Sequence, residues 1–454
     1  MQNIPSGVFK AYDIRGLVDS QLTNEFAYGL GKALGTLLAR ETHKDQPVVV
    51  VGEDMRPTSP TFSDELTRGL QEVGAQVLRV GLVSTPAFYF AVSYLNADGG
   101  AMVSASHNPA EYNGFKIVRA RGVPVGGGTG LQTLRQMMEA DDFSLRPGGS
   151  FESVGDIARL HAENEVAVAD VGDLPSYRMI CDSANGMGAQ YLDELFKLLP
   201  ATVERMFWDF DGTFPNHEAD PFKEENTEAI RHRIKEAGAD IGIATDGDGD
   251  RIFFIDDKGE LVDPAIVRGL VARAVLRRYP GAKICYDIRP GKITEDMIRE
   301  AGGVPIVTKV GHALIKDTML KEDAVFAGES SGHFYFRLPQ GSFEAPLVTL
   351  LFVLGEMKRE NKPLSEIVAP LRKYAHSGEI NFKVADKEAV LAQLKSTFAD
   401  AVQSDLDGLS FTYSDFWFNV RASNTEPLLR LNLEAVSQEV MQAKTAQVRS
   451  IIEA

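Results

Sequence analysis

Three aspartates separated by single glycines, Asp246-Gly247-Asp248-Gly249-Asp250, gather more negative charge than a solvated loop tolerates unless a hard cation offsets the repulsion. Three carboxylates do not fill an octahedral Mg²⁺ shell, so a position stays open to water or a phosphate oxygen. An EF-hand shares the aspartate spacing, but it needs Gly where Arg251 stands and Glu where Asp257 stands. It also needs flanking helices, whereas Ile252 to Ile255 reads as a strand. A strand-ending turn merely rich in Asp and Gly is the reading that spacing alone leaves open.

Three other clusters offer chemistry. Ser104-Ala105-Ser106-His107-Asn108-Pro109 follows an apolar strand and puts a hydroxyl, an imidazole and an amide on one turn, with Asn113-Gly114-Phe115-Lys116 beyond it. Alone, it is equally a polar turn in which Ser106 bonds the backbone. A Ser-His-Asp hydrolase is disfavoured, because Ser106 and His107 in an extended segment point apart and no Gly-x-Ser-x-Gly elbow is present. Gly328-Glu329-Ser330-Ser331-Gly332-His333 lets Glu and Ser approach a ligand closely and suits adjacent sugar hydroxyls, or it is an ordinary turn. Arg421-Ala422-Ser423-Asn424-Thr425-Glu426-Pro427, with Arg430 beyond, offers a guanidinium, hydroxyls, an amide and loop N–H groups to an anion, or is a capped turn. The Gly126 to Gly130 stretch lacks the Gly-Lys-Ser/Thr ending of a Walker loop and reads as a flexible turn.

These clusters need scaffolds to hold them. The 454 residues, 44% hydrophobic and 24% charged, exceed one ordinary core and imply several soluble domains. Strands are expected at Val48 to Val51, Ala75 to Val80, Gly100 to Ser104 and Phe115 to Val118, with helices opening at Ser59-Pro60 and spanning Pro86 to Leu95. Arg146 to Ser150 reads as a linker, after which the pattern restarts with strand Arg178 to Cys181 and helix Ala189 to Leu198. A third unit carries helix Pro264 to Arg278, strand Lys283 to Tyr286, helix Ile293 to Ala301 and strand Val304 to Val307. The last stretch alternates as an antiparallel sheet would at Ile380 to Val384, Leu409 to Tyr413, Trp417 to Arg421 and Leu428 to Leu433, with helices Lys387 to Phe398 and Gln438 to Ile452. The expected fold class is α/β: three consecutive similar α/β domains with mixed sheets, at 1–150, 151–255 and 256–368, then a smaller α+β domain at 369–454.

The net charge of −17 argues against general nucleic-acid affinity, although a local basic pocket can still take an anion. No apolar stretch approaches the ~20 residues of a spanning helix. Pro5 and Gly7 stand where a signal peptide would need a hydrophobic run, so a cytoplasmic protein without a membrane partner is expected. Cys181 and Cys285 lie in strand-like runs and read as buried structural thiols.

In this order, Ser-Ala-Ser-His-Asn-Pro, Asp-Gly-Asp-Gly-Asp-Arg, Gly-Glu-x-Ser-Gly-His and Arg-Ala-Ser-Asn-Thr-Glu-Pro resemble the α-D-phosphohexomutase family, in its phosphomannomutase/phosphoglucomutase branch. Tyr12-Asp13-Ile14-Arg15-Gly16 looks like that family's opening segment, which extends the resemblance over nearly the whole chain. It implies a central cleft, Ser106 as a phosphoserine, and Mg²⁺ held by Asp246, Asp248 and Asp250 with a phosphoserine oxygen in the open position. Glu329 and Ser331 would grip the sugar 3- and 4-hydroxyls, with His333 in the same motif. Arg421, Ser423, Asn424, Thr425 and Arg430 would hold the phosphate that is not transferred. Arg15, Lys116 and Arg251 would stabilise the phosphoryl group in flight, beside Tyr12, and His107, Lys116 and His312 are the acid/base candidates. Arg289 stands in a loop where some relatives have Lys, and its forked donors would contact phosphate.

The implied reaction interconverts a hexose 1-phosphate and a hexose 6-phosphate, of mannose or glucose, through a hexose 1,6-bisphosphate that turns end for end. Phosphoglucosamine mutase shares the first two motifs, but usually shows Arg-Pro-Ser-Gly-Thr-Glu-Pro where Arg421-Ala422-Ser423-Asn424 departs. A non-catalytic sugar-phosphate sensor would need no nucleophile.

Overall fold

A computed structural model of the chain describes residues 4–422 and 428–453. It divides into two compact units, Met1–Val262 with Gly332–Ser365, and Asp263–Ser331 with Glu366–Ala454.

The first unit contains two mixed sheets. In one, the strands run in the order Ile14–Leu17, Tyr112–Arg119, Gly99–Val103, Val48–Glu53, Gln76–Leu82, Ser150–Ser153. The valine run of Val48–Glu53 is buried on both faces, as a central strand covered by helices must be. Neighbouring Gly99 and Gly100 show the two covers: a side chain at Gly99 would strike Leu38 of helix Asn24–Thr42, and one at Gly100 would strike Phe88 of helix Thr85–Tyr94.

The second sheet runs Ile252–Asp256, Ile241–Thr245, Tyr177–Asp182, Ala201–Met206. Its first two strands are antiparallel, with Thr245 opposite Ile252, so the residues between them form a tight connection at the sheet's end. Helix Pro346–Glu360 belongs to this unit, and the buried carboxylate of Glu165 accepts the Leu347 and Val348 N–H groups at its first turn.

In the second unit, Val304–Thr308, Lys283–Asp287 and Phe326–Gly328 run parallel. The C-terminal sheet is antiparallel throughout, in the order Ala375–Lys383, Leu428–Ala435, Phe416–Ala422, Leu409–Thr412, Val402–Ser404. Leu394 of helix Lys387–Thr397, and Met441, Val448 and Ile452 of Gln438–Ile452, pack into its apolar core.

The α/β class with mixed sheets stands, and most expected elements recur within two residues of their observed ends. The expected linker differs. Arg146 bridges Val73, and Ser150–Ser153 pairs parallel with Gln76 to Arg79, because an edge strand gives those backbone groups partners. The Gly-rich stretch forms a wide helical turn at Gly127–Leu131. Cys181 and Cys285 are free and buried, and burial pushes the Cys285 thiol up to about 12.

Candidate functional site

Strand Gly99–Val103 delivers the chain to a turn in which Ser106 N–H donates to Ser104 Oγ and Asn108 N–H to Ala105 O. Ser106 adopts φ 52°, in the left-handed region, rather than the extended conformation expected. That is why its hydroxyl and the next side chain meet instead of pointing apart: Oγ lies 3.2 Å from His107 Nδ1. The arrangement is still not a hydrolase triad, since Ser106 Oγ donates to Asp246 Oδ2 at 2.9 Å and Arg251 Nη2 donates to His107 Nδ1 at 2.9 Å.

The connection after Ile241–Thr245 brings the carboxylates of Asp246, Asp248 and Asp250 together in the interior, with ligand atoms all within 4.8 Å of one another. Burial, and then repulsion from Asp250 and Asp248, raises Asp246 well above the ordinary carboxylate range. Asp248 Oδ1 is buried without a hydrogen-bond partner among the described residues. Three buried carboxylates, one resisting ionisation and one with an orphaned oxygen, form a donor set that fits a hard divalent cation. The loop approaches the serine turn closely because residue 247 is Gly: a Cβ there would lie 2.5 Å from Ser106 O.

Cations surround this charge. Phe115 and Ile117 of strand Tyr112–Arg119 face the core, so Lys116 faces the opposite way. Its Nζ donates to Asp248 Oδ2 and Asp250 Oδ2, each at 2.6 Å. Burial would lower Lys116, but those two carboxylates outweigh it and hold the ammonium well above its usual range. Arg15, opposite Gly114 in the neighbouring strand, donates Nε to Asp13 at 2.7 Å and Nη1 to Asn108 Oδ1 at 2.6 Å. Half-buried Tyr12 precedes it at the bend leading into that strand. Arg251 also pairs with Asp220 at 3.3 Å. His107 is held well below its ordinary value by burial and by Arg251 and Arg15, which leaves the imidazole neutral. His333, read with the sugar motif, sits in this unit with Nε2 3.1 Å from Asp250 Oδ1 and 3.4 Å from Arg251 Nε.

The second unit carries the remaining residues. Arg289 donates Nε to Asp287 at 2.6 Å and reaches Ser331 Oγ at 3.4 Å and Glu329 Oε1 at 3.6 Å. Gly311 N–H donates to Glu329 at 2.9 Å, which brings the first residue of helix His312–Glu322 next to the Glu329 loop. On the C-terminal sheet, Arg421 and Arg430 face each other across adjacent strands, a repulsive pairing unless anions lie beside it. Glu379 supplies one, 2.8 Å from Arg421 and 3.1 Å from Arg430. Burial would raise Glu379, but Arg421, Arg430 and Arg289 keep it below the ordinary range. Arg421 Nε remains buried without a partner among the described residues. Ser423, Asn424 and Thr425 lie outside the described residues.

Sequence reasoning missed Asp54, Arg56, Thr85 and Glu379. Thr85 donates Oγ1 to Asp248 Oδ2 at 2.5 Å, and its N–H reaches Asp248 O at 3.0 Å, so the start of helix Thr85–Tyr94 meets the acidic loop. The Ser84-Thr85-Pro86 helix-start signal was visible, but its target was not.

Four domain profiles of phosphoglucomutase/phosphomannomutase match the chain: α/β/α domain I at residues 6–144, domain II at 161–259, domain III at 263–374 and the C-terminal domain at 379–451. A phosphomannomutase of Escherichia coli strain K12 is 37% identical over 456 residues, with 98% of each chain covered. A Xanthomonas campestris protein described as phosphohexose mutases is 37% identical over 448 residues, again with 98% of each covered. The crystal structure of a phosphoglucomutase/phosphomannomutase family protein from Burkholderia thailandensis superposes with a TM-score of 0.90 at 32% identity, covering 99% of this chain and 98% of that one.

Proposed function

The chain belongs to the phosphoglucomutase/phosphomannomutase family and is a hexose-phosphate mutase, and on that premise we propose that Ser106 is its phosphoryl carrier. The observation that carries this is a buried hydroxyl, Ser106 Oγ, 2.9 Å from Asp246, with Lys116 on Asp248, Arg251 on His107 and Arg15 on Asn108 supplying positive charge to the residues next to it. Phosphoryl transfer needs little covalent chemistry from the protein; it needs position and positive charge around the moving group.

In the forward step the bond from phosphorus to Ser106 Oγ breaks as a bond to the free sugar hydroxyl forms, giving a hexose 1,6-bisphosphate. The hydroxyl proton goes to a base. Lys116 is an ammonium committed to two carboxylates, so its task is charge. Neutral His107, with Nδ1 3.2 Å from the serine oxygen, is the group that takes the proton once Arg251, which donates to the same Nδ1, turns to the phosphoryl group, and it gives the proton back to the sugar oxygen that leaves in the second transfer. After the bisphosphate reverses its ends, its other phosphoryl group returns to Ser106. Asp246, Asp248 and Asp250 would hold Mg²⁺, whose charge lowers the cost of negative charge on the transferring oxygens.

Glu329 and Ser331 suit the sugar 3- and 4-hydroxyls, which lie between the two phosphorylated ends and can be held in either pose. Arg289, Arg421 and Arg430 suit the phosphate at rest, and the orphaned Arg421 Nε supports that role. Ser423, Asn424, Thr425, His312, His333 and Tyr12 belong to the same reading. So do a four-domain division at residues 150, 255 and 368, and a cytoplasmic location that suits two free thiols.

Intact mass and peptide mapping before and after treatment with glucose or mannose 1,6-bisphosphate test the carrier. One phosphoryl group on Ser106 is expected, with turnover abolished in Ser106→Ala. An unmodified Ser106 together with an active Ser106→Ala variant would sink the proposal.

A further inference from the structure

Arg56 is an arginine buried almost completely, with a relative exposure of 1%, in a position where its donors meet backbone rather than ligand. Its Nη2 donates to Ser106 O at 2.9 Å and Asn108 O at 2.6 Å, and its Nη1 to Pro109 O and Tyr112 O, both at 2.8 Å. Four carbonyls of one turn thus converge on one planar guanidinium. A buried charge is stable only if paired, and Asp54, two residues earlier, lies 3.3 Å from Nε at zero side-chain exposure. Asp54 is itself fixed, since its Oδ1 accepts Ser59 Oγ–H at 2.6 Å and the Arg56 N–H at 3.0 Å. The Phe214 ring lies over the guanidinium, its centroid 5.2 Å away. Asp54 also bonds Ser104, whose Oγ accepts the Ser106 N–H, and Asp248 of the triad acts on the Arg56 guanidinium through space.

The left-handed backbone at Ser106 costs free energy in a residue with a side chain, and such a conformation persists only where its surroundings over-determine it. We propose that Arg56 is the positioning residue that does so: by gripping the carbonyls of 106, 108, 109 and 112 it holds Ser106 Oγ where phosphoryl transfer needs it. The inference rests on Ser106 being the phosphoryl carrier. Lysine cannot replace it, because an ammonium is a point donor and lacks the flat fork that spans four acceptors.

The test compares Arg56→Lys with wild type in steady-state turnover, in single-turnover phosphorylation by glucose 1,6-bisphosphate read by intact mass, and in thermal melting. In a folded Arg56→Lys protein, kcat and the phosphorylation rate are expected to fall together by about 100-fold, the usual cost of a misplacement near 1 Å, with KM changed less than about threefold. Asp54→Asn keeps the shape and removes the counter-charge, and it is expected to lower kcat about tenfold at unchanged KM. That variant carries the test if Arg56→Lys does not fold. Ser106 phosphorylated at the wild-type rate in whichever variants fold would overturn the role of Arg56 while leaving the carrier intact. No phosphorylation of wild-type Ser106 would remove the carrier, and this inference with it.

Discussion

Side chains at this site are legible from sequence in proportion to how local their partners are. The Asp246, Asp248 and Asp250 triad announces itself because the carboxylates stand within five residues and their repulsion is a property of the spacing. Arg56 and Glu379 do not: the acceptors of the first lie on another loop, and the second matters only because Arg421 and Arg430 are opposed across two other strands. His107 was visible in its motif, but its charge state was not, since burial, Arg251 and Arg15 set it. Because those effects hold His107 neutral well below an ordinary histidine value of about 6.5, a plot of kcat against pH is expected to stay flat through that region and fall only at lower pH. A limb near pH 6.5 that disappears in His107→Gln would show an ordinary, titrating imidazole.

Among elements, short apolar strands are legible to within two residues, as at Val48–Glu53 and Lys283–Asp287. The helix Asn24–Thr42 is not legible in the sequence. Its Gly29, Gly31 and Gly35 lower helix propensity, and their use becomes plain only in three dimensions, where a Cβ at Gly31 would lie 2.2 Å from Leu66 O of the helix beside it. The same rule governs the acidic connection. Gly247→Ala puts a methyl 2.5 Å from Ser106 O, so the serine turn and the triple-aspartate loop must part. The expected result is a loss of kcat of about 100-fold with little change in the circular dichroism spectrum. An alanine variant of near wild-type kcat would mean that the approach of these two loops is not needed for turnover.

At the scale of the whole molecule, the packing that assigns Gly332–Ser365 to the first unit was illegible, because an apolar helix does not say which core it joins. The buried Glu165 that caps Pro346–Glu360 is a partner from 182 residues away. Global stability also responds to the carboxylate cluster. Asp246, raised by burial and by Asp250 and Asp248, keeps a proton that the unfolded chain has already released. That contribution to the stability of the metal-free protein is therefore lost as pH rises from the ordinary carboxylate value through the raised one, while depressed His107 contributes in the opposite sense as pH rises toward an ordinary histidine value. If the triad holds Mg²⁺, the ion would displace that proton and is expected to raise Tm by roughly 3 °C at a hundredfold excess over its Kd, corresponding to about 2.7 kcal/mol. The gain should be larger at pH 8 than at pH 5 and vanish with EDTA. A Tm indifferent to Mg²⁺ at both pH values would argue that the triad binds no metal.

The turn at Ser106 has a consequence for descent. A phosphate carrier needs only an alcohol, and threonine has one, yet a backbone at φ 52° strongly disfavours a branched Cβ. The mutational neighbour with the same functional group is therefore closed, while asparagine, which accepts that backbone readily, is sterically open and chemically mute. Backbone shape thus restricts what can replace Ser106 before chemistry does.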